Sequence, residues 1–257
     1  MSFVIFALPV FKDNYIWMIH NTANNTAIAV DPGDASPVLR FLNDSNATLD
    51  AILITHHHRD HTGGIAQLKA HTDATVFGPV SPAIRGFDIA IDHPIRIDRP
   101  NMQLSFEVIM LPGHTLDHIG YTTDQVVFCG DTLFSAGCGR LFEGTPQMMY
   151  KSLAALAALP DPTLVYCTHE YTLANLQFAA TVEPKNNEIK QYLKLVADKR
   201  KNLINTLPSN IQLEKQINPF LRCHIPSVQR AAEHYCGHPL TNATAVFQVL
   251  REWKDHF

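Results

Sequence analysis

The sequence predicts an α/β protein in two parts, a strand-rich part over residues 1–171 and a smaller, all-helical part over 172–257. Three observations carry this expectation. Short runs of β-branched, aromatic and aliphatic residues alternate with turns and a few helical patterns up to about residue 171. Beyond that point apolar residues recur at helical spacing and the strand signal almost vanishes. Charge divides at the same place: residues 1–171 hold 9 Lys and Arg against 17 Asp and Glu, residues 172–257 hold 11 against 7. Chance variation of solvated surfaces accounts for such a split as well as function does. The functional reading is an acidic half that holds cations and a basic half that attracts an anion.

In chain order, strands are expected at residues 4–8, 15–20, 27–30, 51–55, 104–111, 126–130 and 164–167, each rich in Val, Ile, Leu, Phe or Tyr. Helices are expected at 37–43, 64–71 and 146–158. The last opens with Thr145 as N-cap and Pro146 at the first helical position, where a missing N–H costs nothing. In the second part Ile189, Tyr192, Leu193, Val196, Leu203 and Ile204 form one helical stripe. Val246, Phe247, Val249, Leu250 and Trp253 form another after Thr241.

Composition narrows the function. With 257 residues, 46% of them hydrophobic, the chain can bury a sizeable core. Residues 1–11 lack the basic region and small-residue cleavage pattern of a signal peptide, and no uncharged apolar run approaches the ~20 residues a membrane helix needs. Five widely spaced cysteines without a CxxC pair argue against a disulfide scaffold and for a reducing cytosol. A net charge of −4 argues against a general nucleic-acid binder. The expectation is a monomeric, cytoplasmic protein with neither nucleic-acid nor membrane partners. Fourteen histidines are the outlying number.

Four of those histidines stand together in Thr55-His56-His57-His58-Arg59-Asp60-His61-Thr62-Gly63-Gly64, directly after an apolar strand. In extended chain, residues two apart point the same way, so His56, His58 and Asp60 can converge, and His61 can join them as the chain turns into the next helix. Four ligand-type side chains within six residues are hard to explain by packing, because burying that much polarity without partners costs several kcal/mol. Three more candidates stand just after predicted strands: His114, Asp131 and His169. Each alone is more often a cap or turn residue. Together they repeat one design, a strand delivering a ligand to a loop at one sheet edge. Five histidines and two aspartates suit two borderline divalent ions better than Ca²⁺, Mg²⁺ or a thiolate site. If two ions are to be filled, one carboxylate must bridge, and Asp131 stands alone between the other ligands.

The HxHxDH motif with His114, Asp131 and His169 resembles the metallo-β-lactamase superfamily. Gly130-Asp131-Thr132-Leu133-Phe134, Gly137-Cys138-Gly139-Arg140, Thr168-His169-Glu170-Tyr171 and Arg251-Glu252-Trp253-Lys254 resemble its glyoxalase II branch, the hydroxyacylglutathione hydrolases, over essentially the full length. The resemblance implies an αββα sandwich over residues 1–171, followed by a helical glutathione-binding domain over 172–257. It assigns His56, His58 and His114 to one metal ion and Asp60, His61 and His169 to another, with Asp131 bridging. The ions implied are zinc first, with iron or manganese also compatible. Glutathione recognition falls to Arg140, Phe142, Tyr171, Arg251 and Lys254. Arg140 stands where lysine is often found, and Phe142 where tyrosine is often found, which removes one hydroxyl. On the residues alone, Arg251 and Lys254 serve equally as cations complementing a helix C-terminus.

The implied activity is hydrolysis of an S-(2-hydroxyacyl)glutathione, S-D-lactoylglutathione above all, to glutathione and D-lactate, the second step of methylglyoxal detoxification. Water acidified by two ions is the nucleophile, and Asp60 and Asp131 are the catalytic carboxylates. A thiolate leaves with little protonation, so no strong general acid is required. His57, Asp117 and His118 are expected to orient ligands or shape turns, and Cys138 has no base beside it in sequence to make it a nucleophile. The other reading within the superfamily is a mononuclear-iron glutathione persulfide dioxygenase, against which the complete Asp60/His61/His169 set counts.

Overall fold

The computed structural model describes residues 3–257. The reading of residues 1–11 as free of a signal peptide falls partly on Met1 and Ser2, outside the described residues. The backbone divides into two compact units. The first runs to Met110 and takes in Asp117–Gly130; the second comprises Leu111–Leu116 and Asp131–Phe257.

The first unit contains β1 (Phe3–Val10), β2 (Asn14–Asn21), β3 (Thr26–Val30), α1 (Ala35–Ser45), β4 (Thr48–Leu53), α2 (Arg59–Thr62), α3 (Ile65–His71), β5 (Thr75–Pro79) and β6 (Ile89–Ile91). These strands form one sheet in sequence order, β1 to β3 antiparallel and β3 to β6 parallel. The first two of the three parallel steps are crossed by α1 and by α2 with α3, the last by the segment 80–88. Successive side chains alternate faces. Ile16, Met18, Ala27, Ala29, Ile52 and Ile54 join Val38 and Leu42 of α1 and Leu68 of α3 in one core, while Trp17, Ile19, Ile28 and Leu53 are buried outside that cluster. A sheet covered on both faces gives the near-continuous apolar runs that mark these strands in the sequence.

β7 (Arg96–Arg99), β8 (Leu104–Met110), β9 (Ile119–Thr123) and β10 (Val126–Gly130) form an antiparallel run in that order. It is tied to the first sheet at the end of β4. Tyr121 Oη donates to the Ile54 carbonyl at 2.7 Å, and the Ile119 amide donates to the Thr55 carbonyl at 2.8 Å. That joint fixes the backbone where the histidine motif begins.

The second unit contains β11 (Leu133–Phe134), β12 (Gly137–Cys138), α4 (Pro146–Ala157), β13 (Leu164–Cys167), α5 (Thr172–Val182), α6 (Asn187–Lys201), β14 (Ser209–Asn210), α7 (Ile211–Ile217), α8 (Pro226–Cys236) and α9 (Ala243–Asp255). The cap of α4 is as expected: Thr145 accepts from the Met148 amide and Pro146 opens the helix. α6 stops at Lys201, two residues before Leu203, which adopts a left-handed φ of 58° and is 84% exposed. The stripe therefore ends before Leu203 and Ile204, and the chain instead forms a two-residue pairing of β14 with β13. Leu176, Ala179, Ile189, Val196 and Ile217 pack between α5, α6 and α7. Among the described residues no helix is long and apolar enough to cross a membrane.

Candidate functional site

In the first unit the chain leaves β4 through Thr55 and turns into the single-turn helix α2. His56 and His61 are fully buried there, and His58 and Asp60 are half-buried. Asp31, at the end of β3 with φ 52°, organises both buried rings. Its Oδ1 accepts from the Thr55 amide at 2.8 Å, and its Oδ2 accepts from Thr55 Oγ1 at 2.7 Å and from His61 Nδ1 at 3.0 Å. The Thr55 hydroxyl has given its one hydrogen to Asp31, so toward His56 Nδ1, 3.1 Å away, its oxygen accepts. Both rings therefore carry their protons on Nδ1 and present a lone pair at Nε2, the tautomer a metal ligand needs. His56 Nε2 lies 3.0 Å from His58 Nδ1, a spacing suited to two nitrogens each about 2.0–2.1 Å from one cation. His61 Nε2 lies 3.6 Å from Asp60 Oδ2. His118 stacks on His56 at 4.7 Å, and His57 meets Asp117 at 3.0 Å. Gly130, with φ 48°, lies so close to Thr55 and His118 that a Cβ would collide with both.

In the second unit His114, Asp131 and His169 are each less than a tenth exposed. His114 Nδ1 donates to the Arg140 carbonyl at 2.8 Å, which again puts the ring's lone pair on Nε2. One oxygen, Asp131 Oδ2, lies 3.5 Å from His114 Nε2 and 3.3 Å from His169 Nε2. The hairpin β11–β12 between Asp131 and Arg140 is held from behind. Asn218 Nδ2 donates to the Phe134 and Gly137 carbonyls, Asn175 Nδ2 donates to the Ser135 carbonyl, and the Ala136 amide donates to Glu214 at 2.8 Å. A Cβ on Gly139 would strike the Asp131 carbonyl, so only glycine lets this loop close on Asp131.

The residues expected to hold glutathione are all in the second unit. Phe142 is 62% exposed and sets its ring edge against His114 at 5.2 Å; Tyr171 stacks on His169 at 4.8 Å. Asp255 gathers the cations: its Oδ1 is 3.5 Å from Arg140 Nε and accepts from Arg251 Nη2 at 3.0 Å. Lys254 Nζ donates to the Ala174 carbonyl, and burial together with the charges of Arg251 and Arg140 brings its ammonium down to about 8. Arg251 itself is only 5% exposed. Its Nη1 donates to the Cys138 carbonyl at 2.9 Å and its guanidinium lies 5.1 Å over the Phe220 ring. Burial pushes the Cys138 thiol up to about 11 in spite of Arg251, which leaves it a poor nucleophile.

Each unit thus assembles part of the expected set, His56, His58, Asp60 and His61 in one, His114, Asp131 and His169 in the other. The donor chemistry fits a divalent cation: imidazole and carboxylate, with the tautomers of His56, His61 and His114 fixed by partners on Nδ1. Sequence reasoning missed Asp31, Asn14, Asp255 and Glu214. A signal existed for Asp31, which follows a buried strand just as Asp131 does, and for Asp255, four residues after Arg251 on one helix. None existed for Asn14 and Glu214, whose partners lie 46 and 78 residues away.

Residues 11–94 and 96–169 match the model of the metallo-β-lactamase superfamily, and residues 170–257 match that of the hydroxyacylglutathione hydrolase C-terminus. The chain is 49% identical to a hydroxyacylglutathione hydrolase of Pseudomonas entomophila, with 98% of each covered, and 48% identical to one of Photobacterium profundum, again with 98% of each covered. Among solved structures it is similar to ETHE1 from Myxococcus xanthus, at a TM-score of 0.68 and 25% identity, covering 98% of this chain and 91% of that one.

Proposed function

The chain belongs to the hydroxyacylglutathione hydrolases of the metallo-β-lactamase superfamily, a family of metal-dependent hydrolases, and from that premise we propose its substrate and site. The substrate is an S-(2-hydroxyacyl)glutathione, S-D-lactoylglutathione foremost, cleaved to glutathione and the 2-hydroxy acid in the cytoplasm by a monomer. Two divalent ions serve it, zinc in the first place. His56, His58 and His114 hold one, Asp60, His61 and His169 the other, and Asp131 bridges. The observation that carries the bridge is Asp131 Oδ2, which stands beside one histidine assigned to each ion. When bound, two such ions polarise the thioester carbonyl and acidify water.

The protein's own residues do the rest. Asp31, through His61 and through Thr55 to His56, holds the ring protons away from the ligand nitrogens. Arg140, Arg251 and Lys254 concentrate positive charge that the carboxylates of glutathione relieve, and exposed Phe142 and Tyr171 offer apolar walls beside it. The division at residue 171 into a catalytic part and a glutathione-binding part belongs to the same proposal, supported by the family models that meet between residues 169 and 170.

The test is hydrolysis of S-D-lactoylglutathione by the protein as isolated, metal-stripped and reloaded, with metal counted in each sample. Activity returning as occupancy approaches two per chain is the expected result. A fully loaded protein without thioesterase activity would remove the substrate assignment.

A pH profile gives a second check. Lys254 is charged below about pH 8 and neutral above it, so its attraction for a glutathione carboxylate is present at pH 7 and lost as pH rises through about 8. KM should rise about tenfold between pH 7 and 9.5 with little change in kcat. In Lys254→Met the rise should flatten. A KM profile identical in both proteins would take Lys254 out of the substrate site.

A further inference from the structure

We infer that Asn14 is the positioning residue that commits Asp60 to the second metal ion, an inference that rests on the two-ion reading above. Asn14 opens β2, is 5% exposed, and directs its Nδ2 donor to Asp60 Oδ2 at 2.9 Å across 46 residues of sequence. Asp60 stands on the four-residue helix α2, whose N-terminus has no side-chain cap, and its side chain is 40% exposed. A half-exposed carboxylate on a single helical turn has several rotamers open to it, and ordering it at a cation costs conformational entropy at the moment of binding. A donor fixed in a buried strand removes that freedom beforehand.

The surrounding backbone supports the same reading. Gly33 leaves room for the Asp60 carbonyl to seat against it, and the Gly64 amide donates to the Pro32 carbonyl at 2.8 Å. The main chain within α2 and just after it is thereby anchored, and Asn14 orients the Asp60 side chain. The oxygen that Asn14 holds is the one 3.6 Å from His61 Nε2, its partner in the second-ion set. The chemistry of the donor matters too. An amide is neutral, so it orients Asp60 without cancelling the negative charge that attracts a cation, as a lysine or arginine in its place would.

Because the bond from Asn14 goes to Asp60, which is assigned to the second ion, the effect of changing it is expected to fall on that ion. Outer partners of metal ligands typically alter affinity about 10–100-fold. Asn14→Asp keeps the volume but replaces the donor by an acceptor facing a carboxylate. Asn14→Ala removes the donor alone. The experiment dialyses the loaded full-length wild type and both variants against graded EDTA, counts metal per chain at each step, and compares thermal unfolding of the stripped proteins. Asn14→Asp should release one ion at about 10–100-fold lower chelator and the other at the wild-type concentration, with unfolding of the stripped chain little changed. Asn14→Ala should do the same to a smaller degree, and it decides the question on the same readout if Asn14→Asp does not fold. Release curves that match the wild type, or that shift equally for both ions, overturn the inference. A wild type that never holds two ions overturns the two-ion reading and this inference with it. Failure to hydrolyse a thioester touches neither release curve.

Discussion

Asp131→Ala is expected to lose both metal occupancy and activity, with kcat/KM falling by more than about 100-fold. The floor follows from comparison: removing a partner that only orients a ligand already costs about 10–100-fold, and Asp131 is proposed as a ligand to both ions. Its Oδ2 lies 3.3 Å and 3.5 Å from ring nitrogens that belong to different ions in that scheme, so no other side chain of the set can restore the lost bridge. Asp131→Asn separates charge from shape. It keeps an oxygen at the same reach but supplies no negative charge to offset two dications, and occupancy should fall below two without reaching zero. The measurement is metal per chain alongside thioester turnover. Full turnover with one ion missing would sink the bridging role, and two ions retained in Asp131→Ala would remove Asp131 from the ligand set.

How much of this was legible beforehand depends on how far each residue lies from its partner. The residues proposed as ligands stand out because the chain sets His56, His114, Asp131 and His169 just after strands with their own apolar signature, as with β4 before His56 and β10 before Asp131, while His58, Asp60 and His61 follow within the same motif. The helix from Pro146 was legible from its cap and first residue. α5 was not, because TLANLQFAATV buries six residues with no single polar face and so carries almost no helical period. β6 and β7 have three and four residues, too short for alternation to register. Leu203 and Ile204 fit the stripe of α6 by spacing, yet the helix ends at Lys201, after three consecutive basic residues that complement its C-terminal dipole. The partners of the proposed ligands were mostly invisible because tertiary structure alone brings them in: Asn14 to Asp60, and Glu214 to the hairpin after Asp131.

Arg251 shows what that distance hides, and Arg251→Ala is the second large effect expected. In the sequence it shares a helix face with Lys254 and serves equally as a cation complementing the helix C-terminus or, by resemblance, as a partner for a glutathione carboxylate. In the fold it is 5% exposed, donating to the Cys138 carbonyl and to Asp255 with its guanidinium over Phe220. Truncation therefore removes two hydrogen bonds and the packing of a buried side chain, and it should lower stability by about 2–4 kcal/mol. The Cys138 carbonyl leads directly into Gly139 and Arg140, so the loop that carries Arg140 loses one of its ties to α9, keeping only that of Arg140 to Asp255, and Asp255 loses a cation. KM for the glutathione thioester should rise at least about tenfold while kcat falls less than about threefold, because the group acts on substrate and transition state alike. Arg251→Lys retains the charge but not the fork that spans Cys138 and Asp255, and should recover part of the stability and little of the affinity. Reduced stability with unchanged KM would make Arg251 a purely structural residue. A fall in kcat at unchanged KM would instead place its effect in the chemical step.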